Sequence, residues 1–165
     1  MESSCSHLLE HSSRLFLHLP GFPGTGEWSA GFTTLPAGGT LDPVLPHLGW
    51  RGLAVFRPIQ VHGSRVLKIT ERARADSFRE EADGLATGRR GIVLAVACAD
   101  CVPIILFDPR KGAGAVLHAG WRGTARRIAG EGVRVLREAW GSSPGNLLAL
   151  LGPRIGACCY RVGEE

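Results

Sequence analysis

"VACADCVPIILFDPRKGAGAVLHAGWRG", residues 96–123, contains two apolar runs, VPIILFD (102–108) and GAGAVLHA (112–119). Both are apolar on alternate and on consecutive positions, so neither has a solvent face. Runs of this kind belong to the buried centre of a sheet covered on both sides. Each run also touches reactive chemistry. Cys101 precedes the first, His118 nearly closes the second, and Arg122 follows in a glycine turn. Packing alone has no use for a thiol, an imidazole and a guanidinium in so short a stretch.

Outward from this stretch the text is sheet-rich. ADGLAT (82–87), GIVLAVAC (91–98) and NLLALLG (146–152) read as further strands. LAVFRPIQVHG (53–63) and SRVLKIT (64–70) read as two strands joined by a Gly63–Ser64 turn, which predicts a β-hairpin. A helix is predicted over 124–140, TARRIAGEGVRVLREAW, because Ala125, Ile128, Ala129, Gly132, Val133, Leu136 and Trp140 recur at helical spacing. Thr124 serves as its N-cap and Gly141 as its stop. The fold class expected is α+β, with mixed β-sheets packed with helices. Residues 1–26, which include the turn-rich PGFPGTG, read as a loosely ordered lead-in, and 27–165 as a single domain.

Composition narrows the function. The 165 residues, 44% hydrophobic and 21% charged, suit one soluble globular domain. The 23 glycines and 10 prolines argue for tight turns between short elements rather than a helical bundle. A net charge of +4 without a run of five or more like charges gives no nucleic-acid tail, though it suits a small anionic substrate such as phosphate. No apolar run approaches the roughly 20 residues of a membrane span, and no secretory leader is visible. The five cysteines, two of them adjacent, make a poor disulfide framework, so a reducing cytoplasmic setting is expected. Neither a G-x-x-x-x-G-K-[ST] loop nor a G-x-G-x-x-G after a strand is present, which removes those routes to nucleotide binding.

The chemistry-bearing residues allow three readings. His62 in QVHG, Cys101 in ADC and His118 in HAGW each lie at a strand end beside a small residue. Two imidazoles and a thiolate make a three-ligand zinc set with a fourth position open for water or substrate. Alternatively, Cys101 is a nucleophile with His118 as its base. The third reading, a Cys98–Cys101 redox pair, is disfavoured because positions i and i+3 of a strand face opposite ways. Cys158 and Cys159 read as packing. Arg122 is a candidate anion seat, and Asp100 is placed to move protons or orient a ligand. Asp83 and Asp108 are the other acids of the strand text.

QVHG, EADGLAT, ADCVPIILFD, HAGWRGT and LGPRIGACCYRVG, in that order, resemble the laccase-domain or polyphenol-oxidoreductase family, also called YfiH-like. AGFTT (30–34) is similar to that family's first strand. The resemblance implies a fold shared with bacterial toxin cysteine hydrolases and one zinc held by His62, Cys101 and His118. It further implies phosphorolysis of adenosine, inosine, guanosine and methylthioadenosine, and hydrolytic deamination of adenosine. In that setting Arg122 would meet phosphate, Asp100 would manage protons, and Cys101 would be a ligand, or the nucleophile of a cysteine hydrolase. Copper and a laccase activity are the family's older labels. A multi-copper cluster needs more histidines than a single two-His, one-Cys site offers, and the chain has six in all. Two departures are expected to matter: LDPVLPHLGW replaces the family's Asn-Arg segment, and the text stops at VGEE, short of the family's strand-helix tail. A non-catalytic metal-binding remnant is the alternative those departures raise.

Overall fold

The computed structural model of the protein describes residues 10–13, 16–19, 28–33, 41, 43–46 and 48–161. Cys5, PGFPGTG and the VGEE end lie outside the described residues. The chain divides into two compact units, Met1–Leu53 and Ala54–Glu165. In the first, β1 (Glu10–Ser13), β2 (Phe16–Leu19) and β3 (Ala30–Thr33) form an antiparallel sheet in that order. Two of these strands fall within the stretch read as a lead-in; its remaining residues lie outside the described ones. Val44, fully buried, anchors the turns that follow, with its N–H 2.8 Å from the Leu41 carbonyl.

The second unit is built on the opening stretch of sequence. β8 (Val102–Asp108) and β9 (Ala113–Ala119) pair antiparallel along their whole length, from Val102 opposite Ala119 to Asp108 opposite Ala113. Asp108 makes the tight reversal possible. Its Oδ1 accepts the N–H groups of Arg110 (2.9 Å) and Lys111 (3.2 Å), capping backbone that no strand can satisfy. β10 (Leu148–Leu151) adds antiparallel beyond β8, while β6 (Gly84–Thr87) and then β5 (Val66–Lys68) add beyond β9. The sheet order is β10-β8-β9-β6-β5, with one parallel pair at the β6–β5 end.

Alternate residues of the central strands face two different cores. Ile104, Leu106, Ala113, Ala115, Leu117 and Ala119 meet helix α2 (Ile128–Trp140) through Ile128, Val135 and Leu136. On the other face Leu85, Leu67 and Val116 meet Phe56, Ile69 and Phe78. Coverage of both faces explains why the two runs carry no polar alternation.

Two expectations need correction. The predicted hairpin does not form: β4 (Ala54–Phe56) pairs parallel with β7 (Ile92–Leu94), and β5 pairs parallel with β6. Pro58 lacks an N–H and ends the first run, the chain passes His62 at φ 57°, and each segment then pairs with a different partner strand. The helix is also divided. α1 (Trp121–Ala125) starts earlier than predicted, Thr124 lies inside it, and Arg127 at φ 60° separates it from α2. That break rotates the buried stripe, so Val135 is buried while Ala125 and Ala129 are exposed. Gly141 does stop α2, in the left-handed conformation expected of a C-terminal glycine.

Leu136 is fully buried at the centre of the α2 face. Replacing it with alanine should lower the unfolding free energy by about 2–5 kcal/mol. Urea titration should show this as a lower midpoint with an unchanged slope.

Candidate metal centre

Antiparallel pairing brings the distant donors together. His118 is the cross-strand partner of Pro103, and Val102 faces Ala119, so Cys101 meets the far end of β9 despite the 17-residue gap in sequence. His62 arrives on the loop between β4 and β5. The candidate ligand atoms of His62, Cys101 and His118 all lie within 4.8 Å of one another. The two imidazole rings meet edge to face, their centroids 4.8 Å apart. His118 is buried, Cys101 half-buried and His62 exposed.

The residue that assembles the trio is Asp83, which has no solvent exposure. It continues the β6–β9 register opposite His118, whose N–H bonds the Asp83 carbonyl at 2.7 Å. Its carboxylate accepts from the His118 ring Nδ1 at 2.8 Å and from the backbone N–H groups of Val61 (3.3 Å), His62 (3.0 Å) and Gly63 (2.6 Å). A carboxylate facing Nδ1 assigns the proton to that nitrogen and leaves Nε2 with a free lone pair. Three convergent N–H groups also hold His62 in a left-handed backbone that costs about 1 kcal/mol for a residue with a Cβ. Burial pushes the Asp83 pKa up, but the hydrogen bonds from His118, Gly63 and Val61 outweigh it and leave the carboxyl below its ordinary range.

Gln60 supplies a second clip. Its carboxamide donates to the Ala97 carbonyl at 2.8 Å and accepts the Ala97 N–H at 2.7 Å. A side chain thus stands where a neighbouring strand would be, and β7 ends at Leu94 instead of running to Cys98 as its apolar text predicts. The clip ties the His62 loop to the loop that carries Cys101.

The GWRG turn works through its glycines. A Cβ on Gly120 would stand 3.2 Å from Cys101 Sγ and 3.3 Å from His62 Cδ2, inside the space the donors enclose. A Cβ on Gly123 would meet the Gly63 carbonyl oxygen at 2.6 Å, so α1 rests directly on the His62 loop. Arg122 is exposed, its guanidinium 4.9 Å from the centre of the Trp121 ring. Asp100 is exposed beside Cys101, and its carbonyl accepts the Ile155 N–H at 3.1 Å.

Burial, then the charges of Asp100 and Asp83, push the Cys101 thiol above its ordinary pKa. Burial, then Cys101, raises Cys98 to about 12. Among the described residues no cation offsets these shifts, as one must for a free nucleophile to be activated. Two imidazole nitrogens and one thiolate sulfur are donors of the kind a three-ligand catalytic zinc site uses. From the widest donor separation, a contraction of roughly 1 Å reaches tetrahedral distances. Cys158 and Cys159 do not pack as the text predicts: both are exposed. Sequence reasoning named Asp83 only as an acid and missed Gln60. Their signal, an acid and an amide within EADG and IQVH, has no meaning until the strands pair.

The sequence model of a family described as "Multi-copper polyphenol oxidoreductase laccase" matches residues 44–165. The purine nucleoside phosphorylase YlmD of Bacillus subtilis (strain 168) is 40% identical over 112 residues, which are 64% of this chain and 40% of that protein. Adenosine deaminase RL5, from an unknown prokaryotic organism, is 43% identical over 114 residues, 66% of this chain and 43% of that one. The crystal structure of the Bacillus licheniformis hypothetical protein YfiH superposes with a TM-score of 0.80 at 29% identity, covering 93% of this chain and 67% of that one. The chain thus spans less than half the length of the two relatives matched by sequence.

Two substitutions test the centre. Asp83→Asn should weaken metal binding by about 10- to 100-fold, because it loosens both His118 and the His62 loop. Gly120→Ala should cost metal affinity with little change in the unfolding midpoint, since its added carbon enters the donor space rather than the core. Competition titration against a chromogenic chelator, paired with urea unfolding, separates the two effects.

Proposed function

The chain belongs to the multi-copper polyphenol oxidoreductase laccase family, and from that premise we propose that it is a zinc-dependent purine nucleoside phosphorylase with adenosine deaminase activity. The observation that carries the reading is the convergence of the His62, Cys101 and His118 ligand atoms within 4.8 Å of one another, with His118 oriented by a buried carboxylate. The names of the relatives, a phosphorylase and a deaminase, support the two activities. Adenosine, inosine, guanosine and methylthioadenosine are the substrates proposed, with phosphate as co-substrate. We set the reaction in the cytoplasm. No helix among the described residues is long and apolar enough to cross a membrane.

His62, Cys101 and His118 would hold the zinc. Bound there, the ion supplies a Lewis acid that acts on water or a substrate oxygen at neutral pH. The chain's own residues do the rest. Asp83 keeps the His118 proton on Nδ1 and so preserves Nε2 as the donor. Arg122, stacked on Trp121, presents a fixed cation to phosphate, and bidentate guanidinium–phosphate pairing orients the anion. Asp100, exposed beside the centre, exchanges protons with solvent. Zinc is preferred to a multi-copper cluster because, among the described residues, one donor cluster is found and it offers three ligands for a single ion.

A Cys101/His118 hydrolase is the less favoured reading. Burial, then the carboxylates of Asp100 and Asp83, opposes ionisation of the thiol, whereas a hydrolase nucleophile needs a cation beside it.

Metal analysis of the purified chain should find about one zinc per chain. With adenosine and phosphate, the chain should release adenine, together with inosine from deamination. His62→Ala should lose both the zinc and both products. Turnover that survives chelation but stops on thiol alkylation would instead establish the hydrolase. Zinc without any turnover would leave a metal-binding module. Arg122→Gln should raise the KM for phosphate by about 10- to 100-fold, the worth of one or two charge-assisted hydrogen bonds, while deamination persists.

A further inference from the structure

The turn beyond β10 carries two thiols that the proposed reaction does not use. Cys158 and Cys159 are both exposed, both free, and their sulfur atoms lie 3.3 Å apart. The turn that presents them is closed by the Cys159 N–H on the Gly156 carbonyl at 3.0 Å. It is tethered by the Ile155 N–H on the Asp100 carbonyl at 3.1 Å. Of the other described cysteines, Cys101 belongs to the donor trio and Cys98 is half-buried, its thiol raised to about 12 by burial and then by Cys101.

Two adjacent thiols can close on each other or share a third atom. An ordinary disulfide needs its Cα atoms at least about 4.4 Å apart, while neighbours across a trans peptide stand about 3.8 Å apart. Direct closure is therefore disfavoured. An atom bonded to each sulfur at about 2.3 Å, a typical metal–sulfur length, spans this gap with a bond angle of roughly 90°. That bite is narrow for a tetrahedral ion, which also needs two more ligands. It suits a pyramidal trivalent atom that takes two sulfurs and keeps one substituent of its own.

We propose that Cys158 and Cys159 form a vicinal-dithiol site that captures a trivalent arsenical, separate from the His62/Cys101/His118 centre. With the hydrated form of an arylarsine oxide, which carries two hydroxyl groups, two arsenic–oxygen bonds break and two arsenic–sulfur bonds form. Each hydroxide leaves with one thiol proton as water, so two waters are released and arsenic stays trivalent. No oxidant or reductant is needed. Closure through two sulfurs makes the adduct resistant to monothiols, which must displace both, and sensitive to dithiols.

Zinc-loaded protein should be treated with equimolar phenylarsine oxide, challenged with excess glutathione and examined by intact-mass spectrometry. One phenylarsenic group per chain should survive glutathione and be removed by a small dithiol. Cys158→Ser and Cys159→Ser should each reduce the surviving adduct to background, while Cys98→Ser should retain it. Circular dichroism checks that the two exposed substitutions leave the fold intact. Absence of a glutathione-resistant adduct on the unsubstituted chain would overturn the site. So would an adduct that persists in Cys158→Ser or Cys159→Ser, which would place the capture on other cysteines of the chain.

Discussion

The buried carboxylate of Asp83 is the constraint on which the site depends. Removing an ion from water costs several kcal/mol unless the surroundings replace its hydration. Here three backbone N–H groups and one imidazole N–H replace it. The same four contacts join pieces that sequence keeps apart: the β6–β9 ladder, the loop after β4 and the ring of His118. Because the charge must be solvated by just these groups, the left-handed turn at His62 and the tautomer of His118 are fixed together. Loss of one partner would leave the others around an undersolvated ion.

The sheet supplies the rigidity that a carboxylate alone cannot. β8 and β9 are paired over seven positions each and covered on both faces, so the end carrying Cys101 and His118 has little freedom. Onto this end the loop of His62 is held from two sides. Gln60 pairs with the peptide of Ala97, and α1 rests on Gly63 through the missing side chain of Gly123. Gly120 contributes by absence, leaving the donors room to converge. Electrostatics then favours a cation. Burial, then Asp100 and Asp83, opposes ionisation of Cys101, and a positive ion beside the thiol would relieve that opposition. A metal centre and a poor free nucleophile are two consequences of one charge arrangement.

Legibility in the sequence followed the range of the interaction responsible. The two apolar runs of 102–119 announced a doubly covered sheet because burial on both faces leaves a mark on every residue. The three donors were visible as residue types at strand ends, and Gly141 was visible as a helix stop because its conformation is a local demand. The supposed hairpin over 53–70 was misread because parallel pairing leaves no local turn signal, whereas Gly63–Ser64 imitates one. The break at Arg127 was equally hidden: an arginine in the left-handed region is no more marked in the text than an arginine in a helix.

By itself, then, the sequence determined the class of fold, the family, and the three side chains able to hold a metal, since each rests on residue identity and short-range periodicity. Tertiary structure alone decided that those side chains meet, that Asp83 and Gln60 are the parts that make them meet, and that Cys158 and Cys159 face solvent rather than the core. The physical reason is that hydrogen bonds and charges act across distances of a few ångströms in space. Asp83 lies 35 residues from His118, and Gln60 lies 37 from Ala97, until strand pairing makes each of them a neighbour.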